Sequence, residues 1–315
     1  MESDVMRSEI WYSDGSVVLQ AQNTQFRVHF SILSLHSTFF RSMQGLPQPR
    51  DQPTVEGCPL IVLHDSVADV ENLLKALYNP DLFNDEAIPF AYIASFVRLG
   101  RKYEFMSLLK IALGRLAFEN PPTLKEYDAL LETLRLAAGK YVPHSTTRIV
   151  DYPGIRQDTV TLARENGLVA LLPCAYYRVL SGGAAEIFKS TLQPDGTNSQ
   201  LSCTDHRICT VGLERILAVQ FKSDSALGWV LRKPADGCKD VSACQLWHDA
   251  FTSTVLASRP KLYNPSVFWL QNESTLCVFC KAQATRALIA GRAKFWENLP
   301  SFFDLNPWSE LKNDI

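Results

Sequence analysis

The chain has 315 residues, 46% hydrophobic and 20% charged, a balance that fits a globular protein and excludes a disordered or fibrous one. A formal net charge of -2 gives no overall basic field to hold nucleic acid or an anionic membrane. No apolar run reaches the roughly 20 residues of a spanning helix, and the opening MESDVMRSEI lacks the apolar stretch of a signal peptide. A cytoplasmic or nuclear protein with more than one domain is therefore expected. In such a compartment the eight cysteines read as thiols or metal ligands rather than disulfides, and the sequon Asn272-Glu273-Ser274 is expected to stay unmodified.

Residues 10–30 read as a β-hairpin. Trp11 and Tyr12 precede a turn at Asp14-Gly15, Val17 and Leu19 share a face, and Phe26 to Phe30 is the return strand. The stretch FRVHFSILSLHSTFFRSM, residues 26–43, puts Phe26 and Val28 on one face and Arg27 and His29 on the other. It then feeds two short helices. Ser31 is predicted to cap the first, which carries Ile32, Leu33 and Leu35, and Ser37 the second, which carries Phe39, Phe40 and Met43. The proline-rich segment from Gln44 to Pro59 reads as a surface loop. Pro59 to Leu63 reads as a strand, and Ser66 caps a helix with Val70, Leu73, Leu74 and Leu77 on one face. Two helices follow between Ile88 and Phe118, joined near Gly100 and Arg101.

These residues carry a family resemblance. Phe26, Val28, His29, Leu33, Ser37 and Phe40 match the strand–helix–helix pattern of the BTB/POZ domain, with Phe30 where that family usually has a basic residue. Leu77-Tyr78-Asn79, then Leu99, Lys102 and Tyr103, match its later motifs in the right order. The resemblance covers residues 8–120 and implies an α+β domain, a small sheet with helices packed around it. It also implies protein–protein association, often as a dimer, and a structural rather than catalytic His29.

Residues 121–192 read as a helical extension. Leu124, Tyr127, Leu130, Leu131, Leu134 and Leu136 form one stripe; Thr159, Leu162, Leu168, Leu171 and Leu172 form another that breaks at Pro173. Gly139 to Gly154 reads as a hinge or loop, and residues 193–202 as a polar loop. Residues 203–315 read as a mostly α-helical C-terminal domain with tryptophans at 229, 247, 269, 296 and 308. Thr210 to Phe221 predicts a helix. Ala282 to Leu299 predicts another, with Leu288, Ile289, Phe295, Trp296 and Leu299 inward, Arg286, Lys294 and Glu297 outward, and Pro300 ending it. SFFDLNPW reads as an extended aromatic tail folding back. The whole chain resembles the BTB-domain proteins of basidiomycete fungi, a resemblance that brings no chemical activity with it.

The sharpest chemical candidate is Cys238, Cys244, Cys277 and Cys280, spaced C-x5-C and, after a long spacer, C-x2-C at a helix start. Four thiolates suit a structural zinc, and the alternative is four small hydrophobes in a core. Cys203, His206 and Cys209 form a second cluster, and His248 could replace a ligand in the first. A redox role for C-x2-C lacks a surrounding βαβ pattern. His36 and His64 have no partner at a suggestive spacing. No phosphate-binding glycine loop, GxSxG elbow or HExxH motif occurs, so no catalytic residues are expected.

The expectation is a non-catalytic interaction protein, homodimeric through a face including Trp11, Tyr12, Leu35 and Phe39. A substrate adaptor for a cullin-type ubiquitin ligase and a transcriptional regulator are its rivals. In the transcriptional group a charged pocket would pair Asp14 with the basic residue that Phe30 replaces.

Overall fold

The computed structural model describes residues 5–45, 52–138, 146–193, 196–232, 234–257 and 275–313. The sequon at Asn272, Trp269, residues 46–51 of the Gln44–Pro59 segment and residues 139–145 of the expected hinge lie outside the described residues; Thr54–Val55 and Cys58–Pro59, read as loop, are in strands. The described chain divides into two compact units. The first runs to Glu119 and takes back Thr146–Asp151; the second holds the rest from Asn120 onward. The helical segments after residue 120 and after residue 203 both fall in this second unit.

The first unit is α+β. Strands β1 (Met6–Trp11), β2 (Val17–Ala21), β3 (Thr24–Val28), β4 (Thr54–Val55) and β5 (Cys58–Leu63) form one sheet in the order β1-β3-β2-β5-β4. The hairpin is β2 with β3, Leu19 opposite Phe26, and it turns at Gln22-Asn23 with Gln22 at φ +51°. Asp14-Gly15 does turn the chain, Gly15 N–H donating to Tyr12 C=O at 2.9 Å, but it joins strands that are not neighbours. β1 lies parallel to β3 on its far side, so the expected pairing across Asp14-Gly15 is replaced. A turn signal marks where the chain reverses and says nothing about which strand receives it.

Helix α1 (Phe30–His36) starts two residues earlier than a Ser31 cap predicts, with His29 as N-cap. Ser16, from the loop before β2, accepts the Phe30 N–H at 3.0 Å and takes over the capping task. Ser37 caps α2 (Thr38–Met43) as expected, accepting from Phe40 N–H at 3.0 Å and donating to the Tyr103 carbonyl at 2.6 Å. Ser66 caps α3 (Val67–Tyr78) through the Asp69 N–H at 3.1 Å. α4 (Phe90–Lys102) and α5 (Met106–Glu119) meet at Gly100, where an added Cβ would stand 3.1 Å from that of Leu109. Phe26, Val28, Leu33 and Phe40 are all buried, so the motif stretch is the centre of this core. Asp65 collects the matched pair, accepting from Tyr103 Oη at 2.5 Å and Lys102 Nζ at 2.7 Å.

Residues 146–151 belong to the same unit. Ile149 bridges Ile88, and both are buried. Glu119 Oε1 accepts from the Thr147 and Arg148 N–H groups, each at 2.8 Å. This half of the expected hinge is a fixed part of the first core.

The second unit is mostly helical: α6 (Leu124–Ala138), α7 (Ile155–Glu165), α8 (Leu172–Ser181), α9 (Ala184–Ile187), α10 (Cys203–Val219), α11 (Val241–Ala257), α12 (Val278–Glu297) and α13 (Leu299–Phe302). Strands β6 (Thr191–Leu192), at the end of the segment read as helical, and β7 (Asn198–Ser199), inside the 193–202 stretch read as a loop, pair with each other. Pro173 opens α8 rather than ending a helix, and Pro300 opens α13 just after α12 stops at Glu297, because a first-turn residue needs no N–H donor. On α12, Leu288 and Trp296 are buried, while Ile289 faces solvent at 52% exposure, against expectation. Phe303 packs on Tyr176, and Trp308 donates to the Trp296 carbonyl at 2.8 Å, so the aromatic tail does fold back.

Candidate functional site

The four cysteines of the sequence pattern meet in the second unit. Gly237, at φ +80°, turns the chain ahead of Cys238, and Cys244 sits in the first turn of α11. Cys277 is the N-cap of α12 and Cys280 lies in its first turn. The four sulfurs lie within 4.8 Å of one another, Cys238 and Cys277 at 3.6 Å, and all eight cysteines of the chain are free. Cys244 and Cys280 are buried beside Trp229, Leu276 and Leu288, while Cys238 and Cys277 are half-buried. Backbone donors face the sulfurs: Ala235 N–H to Cys280 and Cys277 N–H to Cys244, both at 3.3 Å. N–H groups of Cys280 and Lys239 hold the Cys277 thiol down to about 6. Burial pushes Cys244 up, and Cys280 up to about 12. Such a group can hold a soft cation, because thiolates this close cannot all ionise without one.

Among the described residues this is the one group of three or more ligand side chains that converges. Cys203, His206 and Cys209 are strung along α10. Cys203 is exposed, His206 lies against the Phe188 ring, and burial pushes the Cys209 thiol up to about 12. His248 is buried against Trp229 and Trp247 and is not in the cysteine group.

His29 is half-buried and bonds to side chains rather than to backbone. Tyr78 Oη meets its Nδ1 at 3.0 Å and accepts its backbone N–H at 2.8 Å, and Asp14 Oδ2 meets its Nε2 at 3.2 Å. Tyr12 stacks on Tyr78 with ring centres 4.5 Å apart. Asp14 thus pairs with the histidine, and Phe30 rests edge-on against Phe40. Beside Tyr12 and Tyr78 opens a pocket of about 250 Å³, lined also by Ile10, Leu74 and Tyr92, whose Lys75 pairs with Glu71 at 2.5 Å.

Of the four residues read as a partner face, Leu35 is 68% and Phe39 37% exposed. Trp11 and Tyr12 are half-buried, Trp11 under the Arg7 guanidinium at 4.5 Å. Val5 and Met6, each more than half exposed, were missed; their apolar character at the start of an edge strand was the available signal.

A small curled sheet edged by β1, with paired helices packed on it and apolar side chains left on β1 and α1, defines a protein-interaction module. Residues 5–115 match the family model described as BTB/POZ domain, so the chain carries a BTB domain over about a third of its length. Comparison with curated proteins found no match. No described helix is long and apolar enough to cross a membrane.

Proposed function

We propose that this is a non-catalytic interaction protein that self-associates through its BTB domain, of the kind found in basidiomycete fungi. The observation that carries the reading is exposed apolar surface on three elements of the matched domain: Val5 and Met6 on the β1 side, Leu35 on α1 and Phe39 on α2. β1 is an edge strand, and a second copy can pair along its open side. Two-fold closure is the commonest way to bury such a face. Eight free cysteines favour a reducing compartment, cytoplasmic or nuclear.

Light scattering at tens of micromolar tests the proposal. A dimer is expected, and Leu35→Asp with Met6→Asp should turn it into a monomer with an unchanged melting curve. A wild-type monomer overturns it. The cullin-adaptor reading draws on the helices that follow the BTB domain, and co-purification of a cullin would favour it. The transcriptional reading is disfavoured because Asp14 engages His29 and Phe30 carries no charge.

A further inference from the structure

The cysteine group lies outside the matched domain, and self-association does not use it. Its geometry resembles a built centre more than a chance meeting of core thiols. Two independent chain segments, 39 residues apart, each contribute a turn cysteine and a helix first-turn cysteine. The start of α12 turns N–H groups on these sulfurs, that of its N-cap Cys277 on Cys244 and that of Cys280 on Cys277. Ala235, Lys239, Cys277 and Cys280 supply the backbone donors that offset thiolate charge.

Tetrahedral coordination with bonds of about 2.3 Å requires sulfur–sulfur edges of about 3.8 Å. The edges run up to 4.8 Å, and Cys238–Cys277 is 3.6 Å, so closing on one centre moves no edge by more than about 1 Å. A disulfide needs about 2.05 Å, much further from what is seen. A purely apolar role would leave no reason for four sulfurs to share a point with N–H donors turned toward them.

We propose that Cys238, Cys244, Cys277 and Cys280 bind one zinc ion as a closed, structural four-thiolate site that ties the 235–244 turn to the start of α12. Thiolates are soft ligands that select zinc, and four of them fill the tetrahedron, leaving no position for a reacting water. The ion also locks the apolar cluster of Trp229, Leu276 and Leu288 that surrounds the buried pair. Binding is expected to release protons, because Cys244 and Cys280 must give theirs up to coordinate.

Elemental analysis of the purified full chain should find about one zinc per chain. Cobalt exchanged into the wild-type protein should give the intense visible bands of a tetrahedral thiolate site, and Cys277→Ser should lose both metals. Cys203→Ser, an exposed cysteine away from the group, should keep them. Zinc below about 0.2 per chain in folded wild type, iron in its place, a Cys238–Cys277 disulfide on non-reducing mass spectrometry, or zinc retained in Cys277→Ser would each overturn the proposal. If Cys277→Ser does not fold, the wild-type cobalt spectrum decides, and absence of thiolate bands rejects the site.

Discussion

Asp14, His29 and Tyr78 form a short polar chain in which each member fixes the next. Tyr78 satisfies both the backbone N–H and the ring of His29, and the ring in turn holds Asp14. An Asp–His–Tyr line is also how a catalytic relay looks. Here the phenol is occupied by backbone and stacked on Tyr12, and burial raises its pKa, so it is a poor proton donor. The hydrogen bond from His29 lowers the pKa of Asp14 below its ordinary 3.8. A lowered acid stabilises the fold above its unfolded pKa and ceases to as pH falls through its folded one, so the Asp14 contribution is lost as pH falls below 3.8. NMR titration should place the Asp14 midpoint under 3.8 and return it toward that value in His29→Ala. The same variant should lose about 1–2 kcal/mol of stability by chemical denaturation. An unchanged melt would show the ring to be dispensable.

Helix packing in both units depends on where glycine removes a side chain. On α12, a Cβ at Gly291 would stand 2.4 Å from the backbone of Ser225 and Ala226, atoms that cannot rotate away. Gly291→Ala should therefore push α12 off that segment and cost about 2–3 kcal/mol in a denaturant series. Gly114 on α5 has nothing within 4 Å of the same added atom. There the alanine should stabilise by about 0.5–1 kcal/mol, because it only restricts the unfolded chain and favours the helix. Opposite signs for one substitution separate packing from propensity, and equal signs would contradict the packing described.

At the scale of the molecule, the first unit is discontinuous in sequence. Residues 1–119 alone would leave Ile88 without Ile149 and the Glu119 carboxylate without the Thr147 and Arg148 N–H groups. A fragment of 1–119 carrying 146–151 on a short Gly-Ser linker should melt higher than 1–119 alone, by about 2–4 kcal/mol of stability. Equal stability would mean the returning segment adds nothing to the core.

Much of this protein was legible in its residues because the relevant physics is local. Phe26, Val28, Leu33 and Phe40 were readable as core from alternation and helical spacing, and they are buried. Ser37 and Ser66 were readable as caps because a cap acts within three residues. The four-cysteine candidate was legible as a pattern of residue types, while the meeting of its two halves came only from the fold. Other features had no local cause. β1 could pair with β2 or with β3, and the sheet chose β3 because β2 is held between β3 and β5. Pro173 could end one helix or open the next, and the packed core decided for opening. Ile289 fits the apolar stripe of α12 yet faces out, and nothing within that helix says which edge of a broad stripe its neighbours will cover. Ile149 and Glu119, 30 positions apart in sequence, share one strand-and-helix junction only after the chain has returned. Local propensity and capping act over a few residues, whereas strand partners, returning segments and metal-ligand convergence are selected by competition among distant surfaces.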